Sequence, residues 1–233
     1  MDGTRSYLVG ERSLAVIDPG PNVQTHVRAL VVAAGEAEEV RILVTHGHPD
    51  HAAAARTLAD LLGADVYGPD LPGVVDRVLA DGDSVPTDHG PLVAVHTPGH
   101  TEDHLCFHLP SEGALFAGDL VLGSGDTTWV AEYSGCVADY FDSLARLRGL
   151  SLEIIYPGHG PPLEDPAEAL DRFERHRRER VAQVVEALAA PSSDDMQHLL
   201  DLVYGDTIPS GLHGAAIRSL GALVDYVKGV RRS

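Results

Sequence analysis

The seven residues Thr45-His46-Gly47-His48-Pro49-Asp50-His51 constrain this chain more than any other stretch. They follow the apolar run Arg41–Val44 and precede an alanine-rich segment over Ala52–Leu62, so they join a strand to a helix. Gly47 and Pro49 keep the segment itself out of both elements. Three histidines and one aspartate therefore share a single loop. Imidazole suits zinc or iron, and a carboxylate can hold or bridge a second cation.

Three further strand ends carry matching groups. Pro98-Gly99-His100 ends a strand over Leu92–His96, Gly118-Asp119 ends one over Ala114–Ala117, and Gly158-His159-Gly160 ends one over Ile154–Tyr156. Each alone reads as an ordinary turn. Together they repeat one arrangement: an apolar strand, a glycine that frees the backbone, then a ligand-type side chain. Strands are also expected over Ser6–Val9, Leu14–Ile17, Asp65–Tyr67 and His104–Leu109, with helices over Thr25–Ala34 and Ala138–Arg148. Asp18-Pro19-Gly20-Pro21 breaks the chain after Ile17.

The pattern changes at Pro166, which suits the first turn of a helix over Ala167–Ala190. Ser192 and Asp195 offer a capping box for a short helix to about Val203. A turn over Tyr204–Ser210 and a last helix over Leu212–Val227 follow. The expected organisation is a catalytic domain over residues 1–165 and a helical module over residues 166–233.

Charge narrows the partners. With 17 Lys and Arg against 35 Asp and Glu, the formal charge is −18, and protonating all 13 histidines would leave it negative. Such a surface repels phosphate backbones and acidic lipids. The run Asp171–Arg180 is a local exception, five arginines among three acids, and reads either as an ion-paired solvated helix or as a backbone track. No apolar run is long enough for a membrane span, and MDGTRSYLVG has no apolar signal region. The expectation is a cytoplasmic chain with Cys106 and Cys136 as reduced thiols.

Through His46-Gly47-His48-Pro49-Asp50-His51, His100, Asp119 and His159, the chain resembles the metallo-β-lactamase fold hydrolases over roughly Ser6–Pro162. The resemblance implies a four-layered αββα sandwich with the site at one edge of two packed sheets. Carried over residue by residue, it implies one metal held by His46, His48 and His100. A second would be held by Asp50, His51 and His159, with Asp119 bridging the two. It further implies two divalent ions, zinc by default with iron or manganese as alternatives, and a bridging hydroxide as nucleophile. Asp50 would orient that hydroxide and relay its proton. Asp18, in the family's early Asp turn, is expected beneath the site as an orienting group or a turn former. His104 is expected either to face the cleft, touching substrate or supporting a ligand from behind, or to be a satisfied structural histidine. Trp129 and Tyr133 are placed to wall the pocket.

Within that family the closer resemblance is to the β-lactamase-like protein 2 branch. It rests on Val16-Ile17-Asp18-Pro19-Gly20-Pro21, His96-Thr97-Pro98-Gly99-His100-Thr101, Ala117-Gly118-Asp119-Leu120-Val121-Leu122-Gly123 and Tyr156-Pro157-Gly158-His159-Gly160-Pro161. The helix bearing His176-Arg177-Arg178-Glu179-Arg180, and the small reduced winged-helix-like module after it, also fit. One departure is Thr4-Arg5-Ser6-Tyr7, where relatives carry Thr-Asn-Thr-Tyr after an N-terminal strand. The branch implies hydrolysis of a small ester, thioester or lactone, or cleavage of single-stranded RNA at the same site. A redox or non-enzymatic module is the alternative from another class. The sequence carries no statement about oligomeric state.

Overall fold

In the computed structural model, residues 3–189, 195–205 and 208–229 are described. Ten strands form two five-stranded sheets. The first contains β1 (Tyr7–Val9), β2 (Ser13–Ile17), β3 (Glu39–Leu43), β4 (Asp65–Gly68) and β5 (Arg77–Val78) in that order. The second runs β10 (Ile154–Pro157), β9 (Ala114–Gly118), β8 (Leu105–Leu109), β7 (Leu92–His96), β6 (Ser84–Val85). β2, β3, β4 and β5 pair in parallel. In the second sheet only β9 and β10 are parallel.

Period-2 alternation makes these sheets inner layers. Along β2, Ala15 and Ile17 join Leu43, Phe107 and Phe116 between the sheets, whereas Leu14 and Val16 face α1 (Gln24–Ala34) and α3 (Ala55–Leu62). Along β9, Leu115 and Ala117 turn the other way, onto α4 (Cys136–Arg148) and α5 (Pro166–Leu188). A strand buried on both faces reads as a continuous apolar run, as β2, β8 and β9 do. The result is the expected αββα order. The helices α6 (Met196–Tyr204) and α7 (His213–Val227) share one apolar cluster with α4, α5 and the second sheet, through Leu199, Leu200, Leu220 and Leu223. No described helix is long and apolar enough to cross a membrane.

Several expectations are corrected. The helix over Ala52–Leu62 is two helices, α2 (Pro49–Ala52) and α3. The Asp18 turn interrupts it: the Ala54 N–H donates to the Gly20 carbonyl instead of within the helix, while the Gly20 N–H donates to His51 O. β5 and β6 were not anticipated, because two residues carry no periodicity. Asp195 is the N-cap of α6, accepting from the Gln197 N–H at 2.9 Å. Ser192 and Ala190 lie outside the described residues, as do residues 206 and 207 of the expected turn.

Candidate metal centre

Asp18, His46, His100, Asp119 and His159 follow the C-terminal ends of β2, β3, β7, β9 and β10, and Asp50 and His51 stand on α2 just after β3. β2 and β3 are parallel neighbours, so Asp18 lies beside Thr45 and His46. β9 and β10 are parallel neighbours too, which sets Asp119 beside His159, and the Gly158 N–H donates to Gly118 O at 2.6 Å. Within this edge three groups have ligand atoms within 4.8 Å of one another: His46, His48 and His100; His46, His51 and Asp119; Asp50, His51 and His159.

The hydrogen bonds behind these rings fix which nitrogen faces inward. Thr45 Oγ1 gives its proton to Asp18 Oδ2 at 2.8 Å, so at 2.9 Å from His46 Nδ1 it is the acceptor. His100 Nδ1 donates to the Trp129 carbonyl at 2.9 Å, His48 Nε2 to Glu132 Oε1 at 2.8 Å, and His51 Nδ1 to Asp18 Oδ2 at 2.8 Å. With the three rings neutral, this leaves His46 Nε2 and His100 Nε2 each 3.0 Å from His48 Nδ1, three ring nitrogens with no N–H among them. Lone pairs so placed repel one another unless a cation sits among them. His51 Nε2 and Asp119 Oδ1 are both buried and lie 3.4 Å apart. Asp119 Oδ2 lies 3.4 Å from His159 Nε2 and 3.8 Å from His100 Nε2, and Asp50 Oδ2 lies 3.1 Å from His159 Nε2. The residues present fit a pair of divalent ions.

Electrostatics distinguish the two halves. Burial holds His46 well below the ordinary imidazole value, and neighbouring His51, His104 and His100 push the same way. His100 is also lowered by burial. Burial pulls His51 down as well, but the Asp18 carboxylate and hydrogen bonds to Asp119 and Asp18 outweigh it and raise it to about 10. Without metal at neutral pH, burial keeps His46 and His100 unprotonated, while His51 carries a proton that a metal must displace. His46 and His100 are therefore expected to add no pH dependence to zinc affinity at their site above about pH 7. The His51 site should tighten by about tenfold per pH unit from 7 toward 10. Chelator competition across that range checks this, and equal slopes at both sites would contradict it.

Glycine matters most at Gly158. A Cβ there would lie 2.6 Å from both Asp119 Oδ1 and His51 Cε1. Gly158→Ala is expected to wedge these apart and reduce the metal bound per chain below that of wild type, read by elemental analysis of folded protein.

The remaining expected residues fall out differently. Asp18, buried and at φ 49°, accepts from the Thr45 N–H and hydroxyl and from His51, so it sits behind the site. His104 does not face the cleft: it is fully buried, its Nδ1 bonds Thr97 Oγ1 and its Nε2 accepts the Asp119 N–H at 3.3 Å. Tyr133 lines a cavity of about 480 Å³ with His48, Thr101, Glu102, Asp103 and Glu132. Trp129 meets the site through its carbonyl, and its ring lies under the Arg218 guanidinium at 5.2 Å. Glu132 and Thr4, whose hydroxyl donates to Asp50 Oδ2 at 3.0 Å, were missed. Nothing local in the sequence marks either one.

A two-sheet sandwich with a histidine- and aspartate-rich edge of this kind defines a metallo-β-lactamase fold, and the superfamily's sequence model matches residues 2–159. The chain belongs to the metallo-beta-lactamase superfamily. It is 31% identical over 232 residues to a beta-lactamase-like protein 2 homolog of Caenorhabditis elegans, covering 94% of this chain and 77% of that protein. It is 35% identical over 237 residues to an atrochrysone carboxyl ACP thioesterase of Aspergillus chevalieri, covering 93% of this chain and 72% of that one. A third relative, the lactamase-like protein aptB of Emericella nidulans, is 34% identical over 79% of this chain, which spans only 60% of its length. Among solved structures, a metallo-beta-lactamase family protein from Thermus thermophilus aligns at TM-score 0.78 with 21% identity, over 97% of this chain and 88% of that one. TTHA1623 in a di-iron-bound form aligns at 0.55 with 25% identity, over 74% and 92%. A di-zinc class B3 enzyme from an Alaskan soil metagenome aligns at 0.58 with 20% identity, over 75% and 86%.

Proposed function

We propose that the chain is a binuclear metal-dependent hydrolase of small acyl substrates, with a thioester as the first class to test. The observation that carries this is the convergence of His46, His48, His100, Asp119, Asp50, His51 and His159 into three overlapping ligand groups at one sheet edge. His46, His48 and His100 would hold one ion, Asp50, His51 and His159 the other, and Asp119 both. Five imidazoles and two carboxylates suit zinc, with iron and manganese as alternatives. When bound, two such ions lower the pKa of a shared water and polarise a scissile carbonyl.

The chain's own residues do the rest. Asp50 is half-exposed, held by Thr4, and lies against His159, where its free oxygen can orient a nucleophile and pass a proton to the leaving sulfur or oxygen. Asp18 and the Thr45 hydroxyl fix His51 and His46, and His104 fixes the Asp119 backbone. Tyr133 and the carboxylates Glu102, Asp103 and Glu132 form the wall of the adjoining cavity.

Two observations favour an acyl substrate over single-stranded RNA. The cavity wall is acidic. The Asp171–Arg180 run is largely spent within the protein: Arg172 pairs with Glu168, Arg178 with Glu174, and Asp171 and Glu174 take Arg148, while Arg177 and Arg180 donate to backbone carbonyls. A backbone track needs exposed, unpaired cations. The likeness to a protein named as an acyl-carrier thioesterase points the same way. The deciding experiment assays zinc-loaded protein on acyl thioesters, esters, lactones and labelled single-stranded RNA, before and after chelation. Chelator-sensitive thioester cleavage supports the reading. RNA cleavage with no acyl turnover would replace it.

A further inference from the structure

The segment from Leu120 to Gly135, between β9 and α4, contains no helix or strand, yet it supports three of the ligand groups. The Trp129 carbonyl holds His100, Glu132 holds His48, and Thr128 Oγ1 donates to Asp119 O at 2.6 Å. An irregular loop cannot hold such positions by its own hydrogen bonds, so something outside must fix it. The contacts come from the C-terminal helices. Arg177 on α5 donates from Nη2 to Thr128 O at 2.8 Å, and Arg218 on α7 lies over the Trp129 ring.

Arg177 is an expensive way to do this. It is 3% exposed, and its charge meets a carbonyl and the Tyr140 ring, 5.4 Å away, with no carboxylate ion pair among the described residues. Burial accordingly lowers its pKa from the ordinary guanidinium value. A buried cation without a counter-charge destabilises a fold, and an apolar side chain of similar length fills the same space without that cost. Core packing gives no reason for an arginine here. The hydrogen bond to the loop does.

We propose that Arg177, assisted by Arg218, is a positioning residue for the first metal site: by fixing the Thr128–Glu132 loop it keeps His48 and His100 in ligating orientation, so α5 and α7 set that site's metal affinity. This rests on the binuclear reading above. It gives the C-terminal helices a role in metal binding that needs no contact with substrate.

The test measures zinc affinity by chelator competition on the full chain. His159→Ala leaves the first site to be measured, and His48→Ala leaves the second. In the His159→Ala background, Arg177→Met is expected to weaken zinc binding by roughly 10- to 100-fold, the usual loss when an outer partner of a ligand is removed. In the His48→Ala background the loss should be smaller, at most about threefold, because there only Asp119 leans on the loop, a split that general destabilisation would not produce. The thermal midpoint of metal-free Arg177→Met should stay level or rise. Arg218→Ala, an exposed change that leaves the core intact, should weaken the first site by about threefold or more, and it decides the question if Arg177→Met does not fold. Equal weakening of both sites, or none at either, overturns the proposal while leaving a wild type that binds two ions. A wild type binding fewer than two ions overturns the binuclear reading and this inference with it.

Discussion

Asp119→Ala is expected to lower turnover by roughly 10³-fold or more while the chain stays folded. Asp119 is the carboxylate that faces both halves of the site, 3.4 Å from His51 and His159 and 3.8 Å from His100. Burial alone would raise its pKa. Hydrogen bonds to His159 and His51 and the charge on His51 overcome that and hold it far below the ordinary carboxylate range, so it is ionised at any working pH. Alanine removes the proposed shared ligand but leaves the strand end intact, because the Asp119 backbone keeps its bonds to His104 and Thr128. Bound metal should fall from two ions to one or fewer per chain, by elemental analysis, with an unchanged far-UV circular dichroism spectrum. Turnover above about a tenth of wild type would show that Asp119 is not shared between the ions.

Asp18→Asn tests the layer behind the ligands. The backbone should tolerate it, since asparagine accepts the positive φ that Asp18 adopts. Its chemistry is less forgiving. Asp18 accepts from three donors, the Thr45 N–H, the Thr45 hydroxyl and His51 Nδ1. An amide has one acceptor oxygen and turns an NH2 toward at least one of those donors. The expected result is a loss of about 1–3 kcal/mol in unfolding free energy for the unsatisfied donor, measured in denaturant. Zinc affinity at the His51 site should also fall by about 10- to 100-fold. Asp18→Ala should cost more, adding about 1–2 kcal/mol of left-handed backbone strain. Wild-type metal affinity in Asp18→Asn would reduce Asp18 to a turn former.

The legible part of this protein was the part written locally. Ligand-type residues follow apolar runs at His46, His100, Asp119 and His159, and each run is a strand in the structure. The αββα order follows from strands that are apolar on both faces, since such strands need cover on each side. In the basic run of α5, left open between an ion-paired face and a backbone track, Arg172 and Arg178 pair with Glu168 and Glu174, and Asp171 and Glu174 take Arg148.

What was missed or left open depends on distant segments. The Ala52–Leu62 helix breaks because Gly20, more than thirty residues earlier, takes the Ala54 N–H. His104 sits close to His100 in sequence, yet the sheet buries it, and no local pattern distinguishes a histidine facing a cleft from one supporting a ligand's backbone. Glu132 reaches His48 across 84 positions, and Arg177 reaches Thr128 across 49. Sequence alone determined which side chains can bind metal and that strands deliver them to one edge, because residue chemistry and strand period are properties of short segments. The tertiary structure decided which nitrogen of each ring faces inward and what holds it there. Those choices are made by hydrogen bonds between segments that only folding brings together.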